Sequence, residues 1–187
     1  MPRSTQTSRV IAEATIATGD IPASSGDMVT VAVTVPTRGY IHRVTLNWGR
    51  SSAFGLSSNA GGVYLHSACA AGAGAGATRL TSADAQTIFA QSPMNPSEAD
   101  QYGGNLEIGS GIYVWTPALD FNPGHRTGSV TTGASGGGPT GVFYDVSGTT
   151  LGPAQGTGTI FFTWIGAGNM SAAALFCQVR FEIEPVA

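Results

Sequence analysis

The stretch MVTVAVTVP, residues 28–36, decides the fold class of this chain. Valine occupies every second position from Val29 to Val35, and threonine or alanine fills the positions between. A period of two is that of a β-strand, in which successive side chains point to opposite faces of a sheet. Pro36 ends the pattern because it cannot donate a backbone hydrogen bond to a neighbouring strand. The stretch therefore predicts a strand with one face buried in a core.

Two more stretches predict long strands. In residues 40–48, one predicted face is mostly apolar and consists of Tyr40, His42, Val44, Leu46 and Trp48. Near the C-terminus, Leu175, Cys177, Val179, Phe181 and Ile183 alternate with Phe176, Gln178, Arg180, Glu182 and Glu184, and Pro185 ends that strand. Shorter strands are predicted at 10–18, 62–67, 111–116, 141–146 and 157–165.

Helix signals are confined to an insertion near 81–102. Residues 82–90 predict a short helix capped by Thr81 or Ser82. The run Asn95-Pro96-Ser97-Glu98 combines an N-cap residue, proline at the first helical position and glutamate at the third, so it predicts a second helix to about Tyr102.

These elements predict an all-β fold, a β-sandwich of the jelly-roll type with about eight strands. The uneven spacing of the strands disfavours a simple up-and-down arrangement. The length of 187 residues suits one domain, which we expect to span residues 10–187 behind an extended N-terminal arm, residues 1–9.

Charge is scarce in this chain. Asp, Glu, Lys and Arg make up 10% of the residues, against about 25% in an ordinary soluble domain. All eight basic residues are arginines, which excludes a phosphate-binding loop lysine and Schiff-base lysine chemistry. The depletion is concentrated in residues 51–78 and 127–179. A surface this poor in charge is typical of a protein that neighbouring subunits cover.

The sequence predicts neither a signal peptide nor a membrane span. The start Met1–Gln6 is not followed by the apolar stretch that a signal peptide needs, so we expect synthesis in a host cytoplasm. Residues 158–176 are uncharged, but a glycine-rich turn interrupts them, which favours two strands over a spanning helix. In that compartment Cys69 and Cys177 are expected to be free thiols, with Cys177 on an apolar face.

No motif indicates catalysis, a cofactor or a metal. Ser135 lies in a G-x-S-x-G match, but Gly138 and Pro139 follow, so no helix can begin as a nucleophile elbow requires. His66 and Cys69 are three positions apart, which on one strand places them on opposite faces. We therefore predict no catalytic, cofactor or metal residues. A small β-sandwich hydrolase that uses Ser135, His66 and His42 remains an alternative.

Four residues are candidate partner contacts. Arg3 and Arg9 make the N-terminal arm slightly basic, but two charges supply little affinity for phosphates, so an arm lying on a neighbouring subunit is favoured over a nucleic-acid contact. Trp115 precedes Thr116-Pro117 and is a candidate surface aromatic. Asp145 is the one charged residue between Arg126 and Arg180.

The whole chain resembles small all-β virion structural proteins of tailed bacteriophages. The resemblance lies in the arm MPRSTQTSRV (1–10), the valine alternation MVTVAVTV (28–35) and the closing strand LFCQVRFEIEP (175–185). It implies a non-enzymatic virion subunit of the capsid decoration, or cement, type. Such a subunit is expected to be a homo-oligomer, with a trimer favoured, and to bind the major capsid protein or other virion proteins. The alternative binding function is a receptor- or glycan-binding head or tail-fibre module that uses Trp115 and tyrosines.

Overall fold

The computed structural model describes ten segments of the chain. These segments are residues 9–52, 61–68, 86–94, 106–107, 112–115, 118–119, 122–123, 141–147, 156–166 and 173–186.

Twelve strands run through these segments. In chain order they are β1 (Val10–Thr15), β2 (Met28–Pro36), β3 (Arg38–Arg50), β4 (Gly61–His66), β5 (Ile88–Met94), β6 (Leu106–Glu107), β7 (Tyr113–Trp115), β8 (Ala118–Leu119), β9 (Asn122–Pro123), β10 (Val142–Asp145), β11 (Thr157–Ile165) and β12 (Ala174–Pro185).

The strands form two antiparallel sheets packed face to face. The seven-stranded sheet has the order β1-β12-β3-β7-β6, and β8 and β10 also pair with β3. The five-stranded sheet has the order β2-β11-β4-β5-β9. This arrangement confirms the predicted all-β sandwich. Four nested antiparallel pairs, β1 with β12, β2 with β11, β3 with β10 and β4 with β5, give it the strand order of a jelly roll.

Aromatic side chains fill the space between the sheets. Trp48 on β3 meets Trp164 on β11 edge to face, with ring centroids 5.1 Å apart. Phe162 on β11 meets Phe181 on β12 in the same manner at 6.4 Å. All four side chains are almost completely buried. Because each contact joins one sheet to the other, β11 connects the two layers of the core.

Strand β2 folds as its valine alternation predicts. β2 pairs with β11 over its whole length, from Met28 opposite Ile165 to Pro36 opposite Thr157. Its valines at 29, 33 and 35 are buried, while Ala32 and Thr34 are exposed. The strand predicted at 157–165 is confirmed as β11.

The face predicted for the first part of β3 is wrong. Tyr40 and His42 were predicted on the apolar face, but Tyr40 is 39% exposed and Ile41 is buried instead. The register explains the difference, because Ile41 and Arg43 lie opposite the consecutive residues Ile183 and Glu182 of β12. A β-bulge at this point adds one residue to β3 and reverses which side chains face the core. From Val44 to Trp48 the predicted face is correct.

A second irregularity changes the start of β12. Cys177, Val179, Phe181 and Ile183 are buried as predicted. Leu175 is 45% exposed, because the pairing with β3 shifts between Ala174 and Phe176.

The helix predicted over 82–90 ends earlier than predicted, because Gln86 is helical but Thr87 is a turn residue. Ile88–Met94 is strand β5, so the helix predicted over 82–90 does not include Ile88 to Ala90. β5 pairs with β4, and this cross-strand pairing overrides the local helix signal. The second helix, predicted to about Tyr102, and the N-terminal arm up to Ser8 lie outside the described residues.

Replacement of Phe162 by alanine should lower the free energy of unfolding by about 3–5 kcal/mol, because it leaves a cavity between the sheets. Phe161 is the matched control, since it is the next residue of β11, points to the opposite face and is only partly buried. We expect Phe161→Ala to cost less than half as much in urea denaturation. Equal losses from both variants would contradict the assignment of the faces of β11.

Burial also determines the chemistry of Cys177. Desolvation raises the pKa of its thiol to about 12, whereas an unfolded cysteine has a pKa of about 8.5. The thiol therefore keeps its proton in the folded chain at a pH where the unfolded chain releases it. Stability should be independent of this group below about pH 8.5 and should fall above it, by up to about 1.4 kcal/mol per pH unit.

Urea denaturation of a Cys69→Ser variant between about pH 8.5 and 9.5 measures this loss. The control is the Cys69→Ser/Cys177→Ala double variant, which should lack the loss. Thiol labelling of the single variant at pH 8 should proceed only as fast as the protein unfolds. An identical pH dependence of both variants would contradict the effect of burial on Cys177.

Candidate interaction surface

Charged residues are divided unequally between the two sheets. The described strands of the five-stranded sheet, β2, β4, β5, β9 and β11, contain no charged residue. Within the strands that the structure describes, every charged residue belongs to the seven-stranded sheet, namely Glu13, Arg38, Arg43, Arg50, Glu107, Asp145, Arg180, Glu182 and Glu184. We call the five-stranded layer the uncharged sheet.

The charges on β1, β3 and β12 are arranged as cross-strand partners. Arg180 Nε lies 3.6 Å from Glu13 Oε1, and Gln178 Nε2 donates to Glu13 Oε2 at 3.1 Å. His42 Nε2 and Glu184 Oε2 are 2.8 Å apart. These side chains are partly or largely exposed, so each pair contributes at most about 1 kcal/mol to stability. Their larger effect is to balance opposite charges on one outer surface, which we call the charged face.

Large apolar side chains lie on the charged face beside these pairs. Tyr40 and Phe143 are opposite each other on β3 and β10, with ring centroids 5.2 Å apart, and we call them the aromatic pair. Phe143 is 50% exposed. Phe176 is 39% exposed and lies over Gly49, where any side chain would collide with its ring. The charged face therefore presents separate exposed aromatic side chains among charged side chains that pair with one another.

The predicted partner contacts do not form one cluster. Arg9 immediately precedes β1, is exposed, and lies 3.7 Å from Glu182. Trp115 is on β7, opposite Trp48 of β3. Asp145 ends β10 opposite Arg38. In the sheet order, β12 and β3 lie between β1, next to Arg9, and the strands β7 and β10 that carry Trp115 and Asp145. Arg3 lies outside the described residues.

Asp145 is held by local hydrogen bonds. Its Oδ1 accepts from the Ser147 hydroxyl at 2.6 Å and from the Ser147 backbone N–H at 3.0 Å. These bonds, with the nearby charge of Arg38, lower the pKa of the carboxyl. Asp145 is thus a charged, exposed turn residue at the end of its strand.

The outer side of the uncharged sheet is partly closed. Thr30 and Thr163 face away from the core, yet both are buried, and their hydroxyl oxygens are 2.8 Å apart. His66 is also buried, with Nδ1 3.4 Å from the Thr87 hydroxyl oxygen. Tyr64, Thr159 and Phe161 are half-buried on the same side. This layer offers hydroxyl and aromatic groups without any strand charge.

The histidines of the hydrolase alternative are far apart in the fold. His42 lies on the outer side of the seven-stranded sheet and His66 on the outer side of the uncharged sheet, with the core between them. Ser135 and Cys69 lie outside the described residues. Within the segments described, no three His, Cys, Asp or Glu side chains are grouped so that they could hold a metal ion.

The division of charge between the sheets was not predicted from the sequence, where the depletion was predicted in the ranges 51–78 and 127–179. The relevant signal is that the stretches forming β2, β4, β5 and β11 all lack charge. That signal becomes spatial only once the pairing order is known.

Comparisons with protein-family models, with curated proteins and with solved structures find no match to this chain. The described part of the chain contains no helix that is long and apolar enough to cross a membrane.

Proposed function

We propose that this protein is a non-enzymatic structural subunit of a viral particle, most specifically a capsid decoration protein that stabilises the shell through subunit contacts. The observation that carries the proposal is the division of charge between the two sheets. Jelly-roll sandwiches are used by viral capsid proteins and also by lectins, so the fold supports a virion role without assigning it.

The uncharged sheet is the side that we assign to neighbouring subunits. The centres of protein interfaces are depleted in charged residues. A sheet whose strands carry no charge avoids the desolvation cost that burial of an ion imposes. Tyr64 and Phe161, half-buried on its outer side, supply contact area.

The charged face is the side that we assign to solvent. Its Arg–Glu and His–Glu pairs are already formed within one chain. A polar surface of mixed sign favours solubility and opposes unspecific association. The partners proposed for the other side are further copies of this chain and the major capsid protein or another virion protein. The contribution of the subunit is mechanical, because added interface area resists disruption of the shell.

Contacts made by the uncharged sheet should withstand salt. We expect the native mass of the purified protein, and its binding to empty capsids, to be unchanged between about 50 mM and 1 M salt, since screening weakens exposed ion pairs but not apolar contacts. Light scattering gives the mass, and co-sedimentation measures binding. Dissociation by moderate salt would contradict the assigned interface, and a monomer that binds no capsid would contradict the function.

The side of the sandwich that makes these contacts can be tested by adding a charge to each. Tyr64→Glu on the uncharged sheet should weaken association or capsid binding. Thr45→Glu is the control, because Thr45 is also half-buried but lies on the charged face. Circular dichroism checks that both variants are folded. A loss of binding in Thr45→Glu alone would reverse the assignment.

A second candidate function is saccharide binding, which the aromatic pair favours over the predicted Trp115 site. Half-exposed Tyr40 and Phe143 rings offer an apolar platform, and the partly exposed His42–Glu184 pair offers polar groups nearby. Phe143→Ala should then abolish binding of a positive saccharide from a glycan array. Phe176→Ala, which removes another exposed aromatic ring of the same face, should leave it intact. An array without any positive saccharide would contradict this function.

A further inference from the structure

The edge strand β2 of the uncharged sheet has one side of its backbone unpaired by any described strand. β2 ends the sheet order, and β11 lies on its other side. The Thr37 N–H donates to the Gly156 carbonyl at 3.1 Å, and the Gly166 N–H donates to the Asp27 carbonyl at 2.9 Å. Both bonds continue the β2–β11 register and involve odd-numbered residues before and after β2. Because antiparallel bonding alternates, the odd-numbered residues of β2 bond to β11.

The even-numbered residues of β2 therefore direct their N–H and C=O groups to the outer edge. These residues include Thr30, Ala32 and Thr34. Thr30 is only 4% exposed, so the chain itself covers the edge at that point. Ala32 and Thr34 are both exposed. Between Thr30 and Thr34, the accessible residues whose backbone groups point to the outer edge are thus Ala32 and Thr34.

The other edge strand on this side of the sandwich, β1, carries a charge that β2 lacks. The Ile16 N–H donates to the Cys177 carbonyl at 2.9 Å on the β1–β12 register, so the odd-numbered residues of β1 face outward. Glu13, among them, is exposed. Charged residues on edge strands oppose pairing with another chain. β2 has nine residues without a charge and is rich in valine and threonine, which favour strand pairing.

We propose that two copies of this chain pair through β2, antiparallel and about a twofold axis at Val33. Ala32 then lies opposite Thr34 of the partner subunit, and the same contact is repeated by symmetry. Each of the two contacts exchanges two N–H···O=C bonds, so the edge forms four. The pairing joins the two uncharged sheets into one continuous sheet.

Burial of Thr30 and the proline at position 36 leave Val33 as the centre, because an axis at Thr34 would place Ala32 opposite Pro36, which has no N–H to donate. A twofold axis at Ala32 would require the edge groups of Thr30, which are covered. With the axis at Val33, all four bonds come from Ala32 and Thr34. In this register, even-numbered residues lie opposite even-numbered ones and odd-numbered opposite odd-numbered, so every side chain stays on its own face of the joined sheet. Val31 is then opposite Val35, and no polar side chain is turned into the core.

This inference rests on the self-association in the proposed function and specifies one of its contacts. A twofold contact between identical patches cannot close a ring of three copies. It would form a dimer, or it would join two rings built through other surfaces. It therefore predicts an even number of copies in solution.

The test compares Thr34→Lys with Thr15→Lys. Both replace an exposed threonine of an edge strand, but only Thr34 lies in the proposed contact. Light scattering over a concentration series should give an even number of wild-type copies, half that number for Thr34→Lys and no change for Thr15→Lys. In hydrogen exchange, the Ala32 and Thr34 amides of the wild type should be protected. In Thr34→Lys, the amides of residues 32 and 34 should exchange rapidly.

The possible failures are distinguishable. An odd-numbered assembly that persists in Thr34→Lys would overturn the β2 contact and leave the proposed function standing. A wild-type monomer that binds no capsid would overturn both. If circular dichroism shows that Thr34→Lys does not fold, Ala32→Lys places the same charge at the other contact residue. Wild-type assembly with rapidly exchanging Ala32 and Thr34 amides would also overturn the contact.

Discussion

The packing of β11 against the opposite sheet is the interaction on which the rest of the structure depends. Trp164 and Phe162 alternate along this strand toward the core, where they meet Trp48 and Phe181 of the other layer. β11 also lies between β2 and β4, so it organises the uncharged sheet. A slip of one residue would turn both rings outward, so this strand fixes the register of its neighbours.

The nested pairing of strands turns a sequence in which charged and uncharged strands are interspersed into a molecule with two different sides. Stretches far apart in the chain, such as β2 and β11, become neighbours in one layer. β1, β3 and β12 become neighbours in the other layer, and their arginines and glutamates come into cross-strand register. Charge is therefore segregated by the pairing of the strands, although strands of both sheets are mixed along the chain.

The sequence predicts those strands whose burial alternates without interruption, which are β2, β11 and most of β12. It fails at the start of β3, because the bulge between Ile41 and Arg43 depends on the partner strand as well as on local residues. It also fails at Ile88, where pairing with β4 outweighs the alanine-rich, helix-like residues before it. The candidate surface is harder still to predict, because the aromatic pair joins Tyr40 to a residue about one hundred positions away.

An uncharged sheet carries a specific risk, because edge strands without charge pair with other chains. Burial of Thr30 limits that risk to the part of the β2 edge near Ala32 and Thr34. The other edge strand on the same side of the sandwich, β1, carries Glu13, which interacts with Arg180. A charge on an edge strand opposes pairing with another chain. In both edge strands every second residue directs its backbone groups outward, but only β1 carries a charge. A protein that needed only to remain monomeric would be expected to carry a charge on both edge strands. The absence of charge on β2 is therefore better explained by a short, geometrically restricted contact with another chain than by an unprotected strand.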